Sequence, residues 1–198
     1  DGAVVTIPRR GSLAEAKAFV ARHAQWIAER LAARPDVSEL PATVPIRGVV
    51  HRVISTGSPR GRVRLVAVEE GPAIEVPGEA PHVRRRLADH LKKEARADLA
   101  AAVTYHATAL GVRPQAIRLK DTTSRWGSAS ARGVLAFSWR LIMAPPFVLD
   151  YVAAHEVAHL KEMNHSDRFW AICHRLCPAT EAAKDWLRKN GADLHRLP

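Results

Sequence analysis

The pentapeptide His155-Glu156-Val157-Ala158-His159 constrains this 198-residue chain more than any other part of its sequence. On an α-helix, residues four apart share one face and lie about 6 Å apart along the axis. Two imidazoles in this arrangement can bind one zinc ion at about 2.0–2.1 Å. Glu156 lies about 100° around the axis from His155, beside the metal position rather than among the ligands. The pattern therefore predicts a helix that carries two metal ligands and a general base.

A third ligand is predicted at His165, six residues after His159. A continued helix would carry His165 about 240° around the axis, away from the metal. The chain must therefore turn back, and Asn164 tolerates the left-handed conformation that such a turn uses. The alternative is a surface histidine without a role in metal binding. Three protein ligands would leave one zinc position for water, as in catalytic sites, and Glu156 would take the proton of that metal-activated water.

The chain has a net charge of +10 and a basic segment, residues 84–96. Its basic residues are Arg84, Arg85, Arg86, Lys92, Lys93 and Arg96. Apolar residues recur there every four positions, which favours a long helix with the apolar stripe inward and the basic residues in water. Nucleic acid is an alternative partner for such a surface, although no aromatic residues are interleaved with the basic ones.

Two features bear on where the protein acts. No apolar run approaches the ~18–20 residues that cross a bilayer, so no membrane association is expected. The two cysteines, Cys173 and Cys177, are expected on one face of a helix as buried apolar residues rather than as a disulfide framework. We therefore expect a cytoplasmic protein.

The remaining pattern predicts an α+β fold. The expected strands are 4–7, 49–54, 63–68, 73–76, 117–120 and 134–141, with those between 46 and 76 forming an antiparallel meander. The expected helices are 12–33, 81–110, 145–163, 166–177 and 180–191. We expect residues 1–80 to form a lobe of one helix and the meander, and residues 81–198 to form the metal-binding lobe, with one compact domain as the alternative.

Several short motifs between about residues 112 and 191 resemble those of one known family. They are Arg125-Trp126-Gly127-Ser128, Trp139-Arg140-Leu141-Ile142, Asp150-Tyr151-Val152, His155–Leu160, Asn164-His165-Ser166, Phe169-Trp170 and Trp186-Leu187. Together they resemble the YgjP-like zinc metallopeptidases, which are similar to the SprT and WLM groups of zincin-like proteases. The resemblance implies a zincin-like lobe, a polypeptide substrate and one Zn²⁺ per chain. By it, His155, His159 and His165 are zinc ligands and Glu156 is the catalytic acid/base.

The sequence departs from that family at two positions of the motifs. Ala129 stands where a Cys is expected, and Ser138 where an Asn is expected before Trp139. Neither change affects the metal ligands, but either could alter how a substrate fits. A metzincin assignment is disfavoured, because Glu162 occupies the position of the metzincin glycine.

Zincin folds place an edge strand beside the motif helix, and a peptide substrate can add to it as a further strand. The expected edge strand is Val134–Trp139, which would bring Arg125 and Trp126 to the substrate groove. The alternative is that Trp126 belongs to the core and Arg125 braces its loop. Tyr151, one helical turn before His155, is a further candidate, with packing as the alternative role.

The sequence thus predicts a zinc metallopeptidase that hydrolyses peptide bonds. Two alternatives stay open. One is a nucleic-acid-associated SprT-like protease or binding module that uses the basic segment. The other is a zinc hydrolase of non-peptide amides or esters, because the ligands define the nucleophile but not the substrate.

Overall fold

The computed structural model of the protein describes residues 5–8, 11–32 and 40–195. Within these residues the helices are α1 (Leu13–Arg22), α2 (Ala24–Ala32), α3 (Ala80–Leu110), α4 (Pro146–Ala158), α5 (Asp167–Leu176) and α6 (Thr180–Leu194). The strands are β1 (Thr43–Ile46), β2 (Val49–Ser55), β3 (Arg64–Val68), β4 (Gly71–Val76), β5 (Ala116–Lys120), β6 (Gly127–Ala129) and β7 (Val134–Ser138). A 3₁₀-helix, Trp139–Met143, follows β7. This combination of helices with two small sheets confirms the α+β class.

The chain divides into two compact units, residues 1–38 and 39–198. The second unit contains both sheets and helices α3 to α6, and therefore all the residues of the candidate site. The expected lobe boundary between residues 80 and 81 stays a prediction.

The first unit differs from the sequence prediction at two points. The single helix expected over residues 12–33 is two helices, because the His23 backbone leaves helical geometry at φ −109° and ψ 13°, and its ring hydrogen bonds to the Phe19 carbonyl (2.9 Å). Residues 5–7 form no strand, so that prediction is wrong for its described residues. Val4 and Ala33, at the ends of the two predicted elements, lie outside the described residues.

The first sheet of the second unit has the strand order β1-β2-β4-β3. The antiparallel meander expected here is wrong, because β2 and β4 pair in parallel, with Val53 opposite Ile74. Strand β4 has the most buried residues of the four, since Ala73, Ile74 and Val76 are completely buried. A strand buried on both faces is stabilised by two neighbours, so the more exposed β3 takes the edge.

Helix α3 agrees with the four-residue periodicity of its sequence. Its apolar stripe has at most 1% of its surface exposed and consists of Val83, Leu87, Leu91, Ala95, Leu99 and Val103. Gly111 ends the helix with a left-handed φ of 66°, which glycine adopts at little cost. Helix α3 packs against α4 and thereby supports the helix that carries the histidine motif. None of the described helices is both long and apolar enough to cross a membrane.

The second sheet has the strand order β5-β7-β6. Val134–Trp139 was expected as the edge strand, but β7 is the central strand, parallel to β5 and antiparallel to β6. Leu135 and Phe137 of β7 are buried in the core, which explains why this strand is covered on both sides. The edge beside α4 is β6, a three-residue strand that sequence reasoning missed.

The helices around the motif start as predicted, but α4 and α6 end elsewhere. Helix α4 begins at Pro146 as expected, yet it ends at Ala158 instead of continuing to residue 163. Helix α5 begins after Ser166 and ends before Pro178, as expected. Helix α6 does not end at Gly191 but continues to Leu194. Gly191 packs against Trp126, where a β-carbon would lie 3.1 Å from the indole, so its small size serves packing rather than helix termination.

Candidate metal centre

Three histidines converge where α4 ends. His155 lies in the last turn of α4, His159 is the residue at its C-terminal cap, and His165 lies in the following loop. One ring nitrogen from each lies within 4.8 Å of the other two, and the Nε2 atoms of His155 and His165 are 3.1 Å apart. Nitrogen ligands of a tetrahedral zinc ion lie about 3.4 Å apart. The three rings are therefore spaced as the ligands of one ion would be.

The loop after α4 returns His165 to the helix end. Asn164 does not use the expected left-handed conformation, since Arg47 is the sole non-glycine residue with positive φ in the described chain. Instead, its side-chain oxygen accepts a hydrogen bond from the Ser166 amide (3.3 Å). The Ser166 hydroxyl in turn accepts a bond from the Phe169 amide (3.4 Å) and caps α5. These two side chains pin His165 between the turn and a helix start.

Two further contacts set the orientation of the rings. The Nδ1–H group of His159 donates to the Glu162 carbonyl (3.0 Å), and Nδ1 of His155 lies 3.4 Å from the Tyr151 hydroxyl. In both residues the Nδ1 atom is thus engaged, and Nε2 is left for the cluster. Such hydrogen bonds fix the tautomer and the ring plane of metal-binding histidines. Tyr151 is 7% exposed, so it contacts His155 from within the core.

Phe169 forms the apolar floor of the cluster. It is fully buried, stacks on the His159 ring at 4.4 Å between centroids, and meets His155 and His165 edge-on at 4.8 Å and 4.7 Å. The sequence analysis quoted Phe169 for its family resemblance and assigned it no role at the site. Its position three residues after the Ser166 cap, on the first turn of α5, is the signal that would have placed it here.

The pKa values of His155 and His159 favour neutral rings. Burial, together with the smaller effects of the charges of His159 and His165, lowers the pKa of His155 to about 4. Burial also lowers the pKa of His159. A neutral imidazole is the form that binds a metal ion.

Glu156 lies beside the cluster with an unusual environment for a carboxylate. Its side chain is 5% exposed, and Oε2 has no hydrogen-bond partner among the described residues. Burial raises the pKa of Glu156 to about 7, and the charge of Arg125 acts against this rise. A carboxyl group with such a pKa can both accept and donate a proton near neutral pH.

Gly127, on the edge strand, contacts the Glu156 carboxylate. A β-carbon at position 127 would collide with Oε1 of Glu156 and lie 2.8 Å from its Cδ. The absence of a side chain therefore lets β6 close over the carboxylate. Sequence reasoning did not single out this residue, although it belongs to the Arg125–Ser128 motif.

The donor set of the cluster fits a zinc ion. Three neutral imidazoles with fixed orientation are the ligands of many catalytic zinc sites, and the described residues offer no thiolate among them. The unpartnered Oε2 of Glu156 supplies an acceptor beside the cluster. The arrangement is therefore suited to hydrolysis by an activated water.

The three candidate substrate-binding residues of the sequence analysis have different positions. Arg125 is exposed and lines a pocket with Gly127. Trp126 instead stacks on His195, at 4.7 Å between the rings, and packs against α6. The structure therefore brings Arg125 and Tyr151 toward the cluster but directs the Trp126 side chain away from it.

The basic segment of α3 has two environments. Arg86 donates to the Pro59 carbonyl (2.9 Å). Lys92, Lys93 and Arg96 line a depression that also includes Lys120 at the end of β5. Part of the basic segment therefore lies beside the sheet that carries β6.

A known protein family matches most of the chain. The family profile described as "YgjP-like, metallopeptidase domain" matches residues 1–190. Among solved structures, the crystal structure of the metallopeptidase zymogen of Pyrococcus abyssi abylysin is similar, with 21% identity over 50% of this chain and 97% of that chain and a TM-score of 0.43. No curated protein matches the chain.

Proposed function

The chain belongs to the YgjP-like metallopeptidase family and is a metal-dependent peptidase; we propose that it uses one zinc ion and Glu156 to hydrolyse peptide bonds. In this proposal His155, His159 and His165 are the metal ligands. The observation that carries it is the approach of three ring nitrogens within 4.8 Å of one another, next to a buried carboxylate.

The proposed metal would act as a Lewis acid. When bound, a zinc ion lowers the pKa of water and polarises a carbonyl oxygen. The ligand set supports zinc over magnesium or calcium, because those ions prefer oxygen ligands.

Glu156 moves the protons of the reaction. It takes a proton from the water that attacks the peptide carbonyl and passes it to the nitrogen of the leaving amine. The pKa of Glu156, raised to about 7 by burial, supports both steps, although a bound cation would lower it again. Gly127 holds the carboxylate in place from the side of β6.

Strand β6 supports binding of an extended peptide. It pairs with β7 on one side and is an edge of its sheet on the other. An extended substrate can add to such an edge through main-chain hydrogen bonds. This would place a peptide bond beside Glu156, whose carboxylate contacts the first residue of β6.

Removal and restoration of the metal test this proposal. The zinc-loaded protein should cleave an unfolded polypeptide such as reduced, alkylated casein. Dialysis against a chelator should abolish cleavage, and one equivalent of Zn²⁺ per chain should restore it. His174, which lies 3.6 Å from Glu181 and outside the cluster, provides a control, because the His174→Ala variant should behave as the wild type. Cleavage that survives complete removal of the metal would contradict the proposal.

A further inference from the structure

A pocket with two cationic side chains opens beside β6. Its wall includes Lys120 at the end of β5, Thr122 and Arg125 in the following loop, and Gly127 and Ser128 of β6. These five residues are called the cationic pocket below. The Thr122 hydroxyl donates to the Arg125 carbonyl (2.8 Å) and so holds the loop at the pocket rim.

Neither cation of the cationic pocket forms an ion pair with a described residue. Both side chains are exposed, and the described residues supply no ion pair or side-chain hydrogen bond to Lys120 or Arg125. The neighbouring acid, Asp121, is bound by Arg140 at 2.7 Å. Two unpaired cations in a concave polar wall attract an anionic group, and a guanidinium binds a carboxylate through paired hydrogen bonds.

The cationic pocket adjoins the proposed reaction centre. Gly127 lines the pocket and also contacts the Glu156 carboxylate. The charge of Arg125 reaches Glu156 and acts to lower its pKa. A charged group bound in the pocket would therefore lie within electrostatic reach of the residue that we assign as the general base.

The position of Ser128 links the pocket to the substrate strand. Ser128 pairs with Ala136 of β7, and both residues line the pocket. In an added strand, alternate side chains point to the same face of the sheet. One side chain of a peptide bound along β6, or its terminal carboxylate, is thus directed to the face where the pocket opens.

We propose that the cationic pocket binds a carboxylate of the peptide substrate, with Arg125 as its main partner and Lys120 as the second cation. The carboxylate comes either from an Asp or Glu side chain or from the C-terminus of the substrate. The inference rests on the proposed function of the neighbouring site. The location of the cationic pocket at the edge strand favours a peptide over the phosphates of nucleic acid. Lys120 also borders the depression lined by Lys92, Lys93 and Arg96.

Peptide cleavage measures this preference. One peptide sequence is prepared with Glu, Gln or Lys placed in turn at each position near the scissile bond, and each is made with a free or an amidated C-terminus. We expect kcat/KM for the best Glu peptide, or for the free C-terminus, to exceed that of its neutral counterpart roughly 10- to 100-fold. The Glu series and the amidated series distinguish the two sources of the carboxylate.

Arg125 variants assign the preference to the pocket. Arg125→Ala should reduce the ratio between acidic and neutral peptides to about 1, and Arg125→Lys should restore part of it. Arg132→Ala is the matched control, because Arg132 is exposed in the turn between β6 and β7 and does not line the pocket. It should leave the ratio unchanged. An equal loss of kcat for acidic and neutral peptides in Arg125→Ala would contradict the proposal and place Arg125 at the reacting carbonyl instead.

Binding provides a readout that does not depend on turnover. Fluorescence anisotropy of a labelled acidic peptide with zinc-loaded Glu156→Gln protein should show weaker binding after Arg125→Ala and unchanged binding after Arg132→Ala. A DNA duplex that displaces the peptide through the same two cations at physiological salt would overturn the assignment to a carboxylate. If the wild-type protein cleaves unfolded casein but shows no acidic preference in the peptide series, this inference alone would be overturned. Absence of all cleavage together with Arg125-dependent peptide binding would instead overturn the proposed function.

Discussion

A β-carbon on Gly127 would lie 2.7 Å from Cγ of Glu156. The first residue of the edge strand and the second residue of the histidine motif are thus in direct contact. Without this contact, the Glu156 side chain could adopt other rotamers. The contact joins the substrate edge and the proposed base into one rigid arrangement.

Gly127→Ala should therefore impair catalysis more than folding. The new methyl group would have to displace the Glu156 side chain, which is 5% exposed and has little space to move. A displacement of about 1 Å at a catalytic group lowers the rate on the order of 100-fold. We expect such a fall in kcat with zinc content unchanged, measured by casein cleavage and elemental analysis.

Ala131→Ser is the control for this variant, since it adds one heavy atom in the exposed turn that follows the same strand. It should retain nearly full activity. Equal activity of Gly127→Ala and the wild type would show that the strand does not position the carboxylate.

His165→Ala should weaken zinc binding. Its Nε2 atom lies 3.1 Å from that of His155, so its removal would take away one of three proposed ligands. Loss of a ligand should cost more than the 10- to 100-fold in affinity that is typical of outer-shell changes, hence more than about 100-fold. Competition with a chromophoric chelator measures this value. An affinity equal to that of His174→Ala would show that His165 is not a ligand.

Tyr151→Phe should have a smaller effect on the same affinity. The substitution preserves the buried ring but removes the hydroxyl 3.4 Å from Nδ1 of His155. Because this contact is long, we expect a loss near the lower end of the outer-shell range, about 10-fold. The unfolding midpoint of the metal-free protein serves as the control for packing and should change little. Unaltered zinc affinity would restrict Tyr151 to a packing role.

The ion pair between Asp121 and Arg140 should make stability depend on pH. Burial alone would raise the pKa of Asp121, but the bonds from Arg140 outweigh it, so the pKa lies below its ordinary value of 3.8. The folded protein then binds this proton less tightly than the unfolded chain. The stabilisation is present above the unfolded pKa and is lost as the pH falls through the folded pKa.

Asp121→Asn should consequently lower the free energy of unfolding at pH 7, by at most about 1 kcal/mol because the Asp121 side chain is 50% exposed. Urea denaturation at a series of pH values from 7 downward should show the difference between variant and wild type shrinking in acid. A difference that grows as the pH falls would contradict the assigned direction of the pKa shift.

The parts of the fold that follow from local helix geometry could be predicted from the sequence. The four-residue spacing of Val83 to Val103 determines which face of α3 is buried, and the spacing of His155 and His159 places both rings on one side. The position of His165 followed from the need for the chain to reverse. The mechanism of that reversal did not, because the side chain of Asn164, rather than its backbone conformation, makes the turn.

The parts that depend on distant neighbours could not be predicted. Strand β6 has the sequence Gly-Ser-Ala, which carries no β-branched or aromatic signal, and its pairing with β7 decides its conformation. The parallel pairing of β2 with β4 depends on which strand is most buried. Gly191 suggested a helix end, but its contact with Trp126 is a tertiary requirement that the local sequence does not reveal.

The most direct test of the account compares Glu156→Gln with the wild type for zinc content and for cleavage of unfolded casein. The substitution preserves the size of the side chain and removes its capacity to accept a proton. We predict about one zinc ion per chain in both proteins and a loss of hydrolysis on the order of 100-fold or more in the variant. Full activity of the zinc-loaded variant, or loss of zinc from it, would contradict the role of Glu156 as the general base beside a three-histidine metal site.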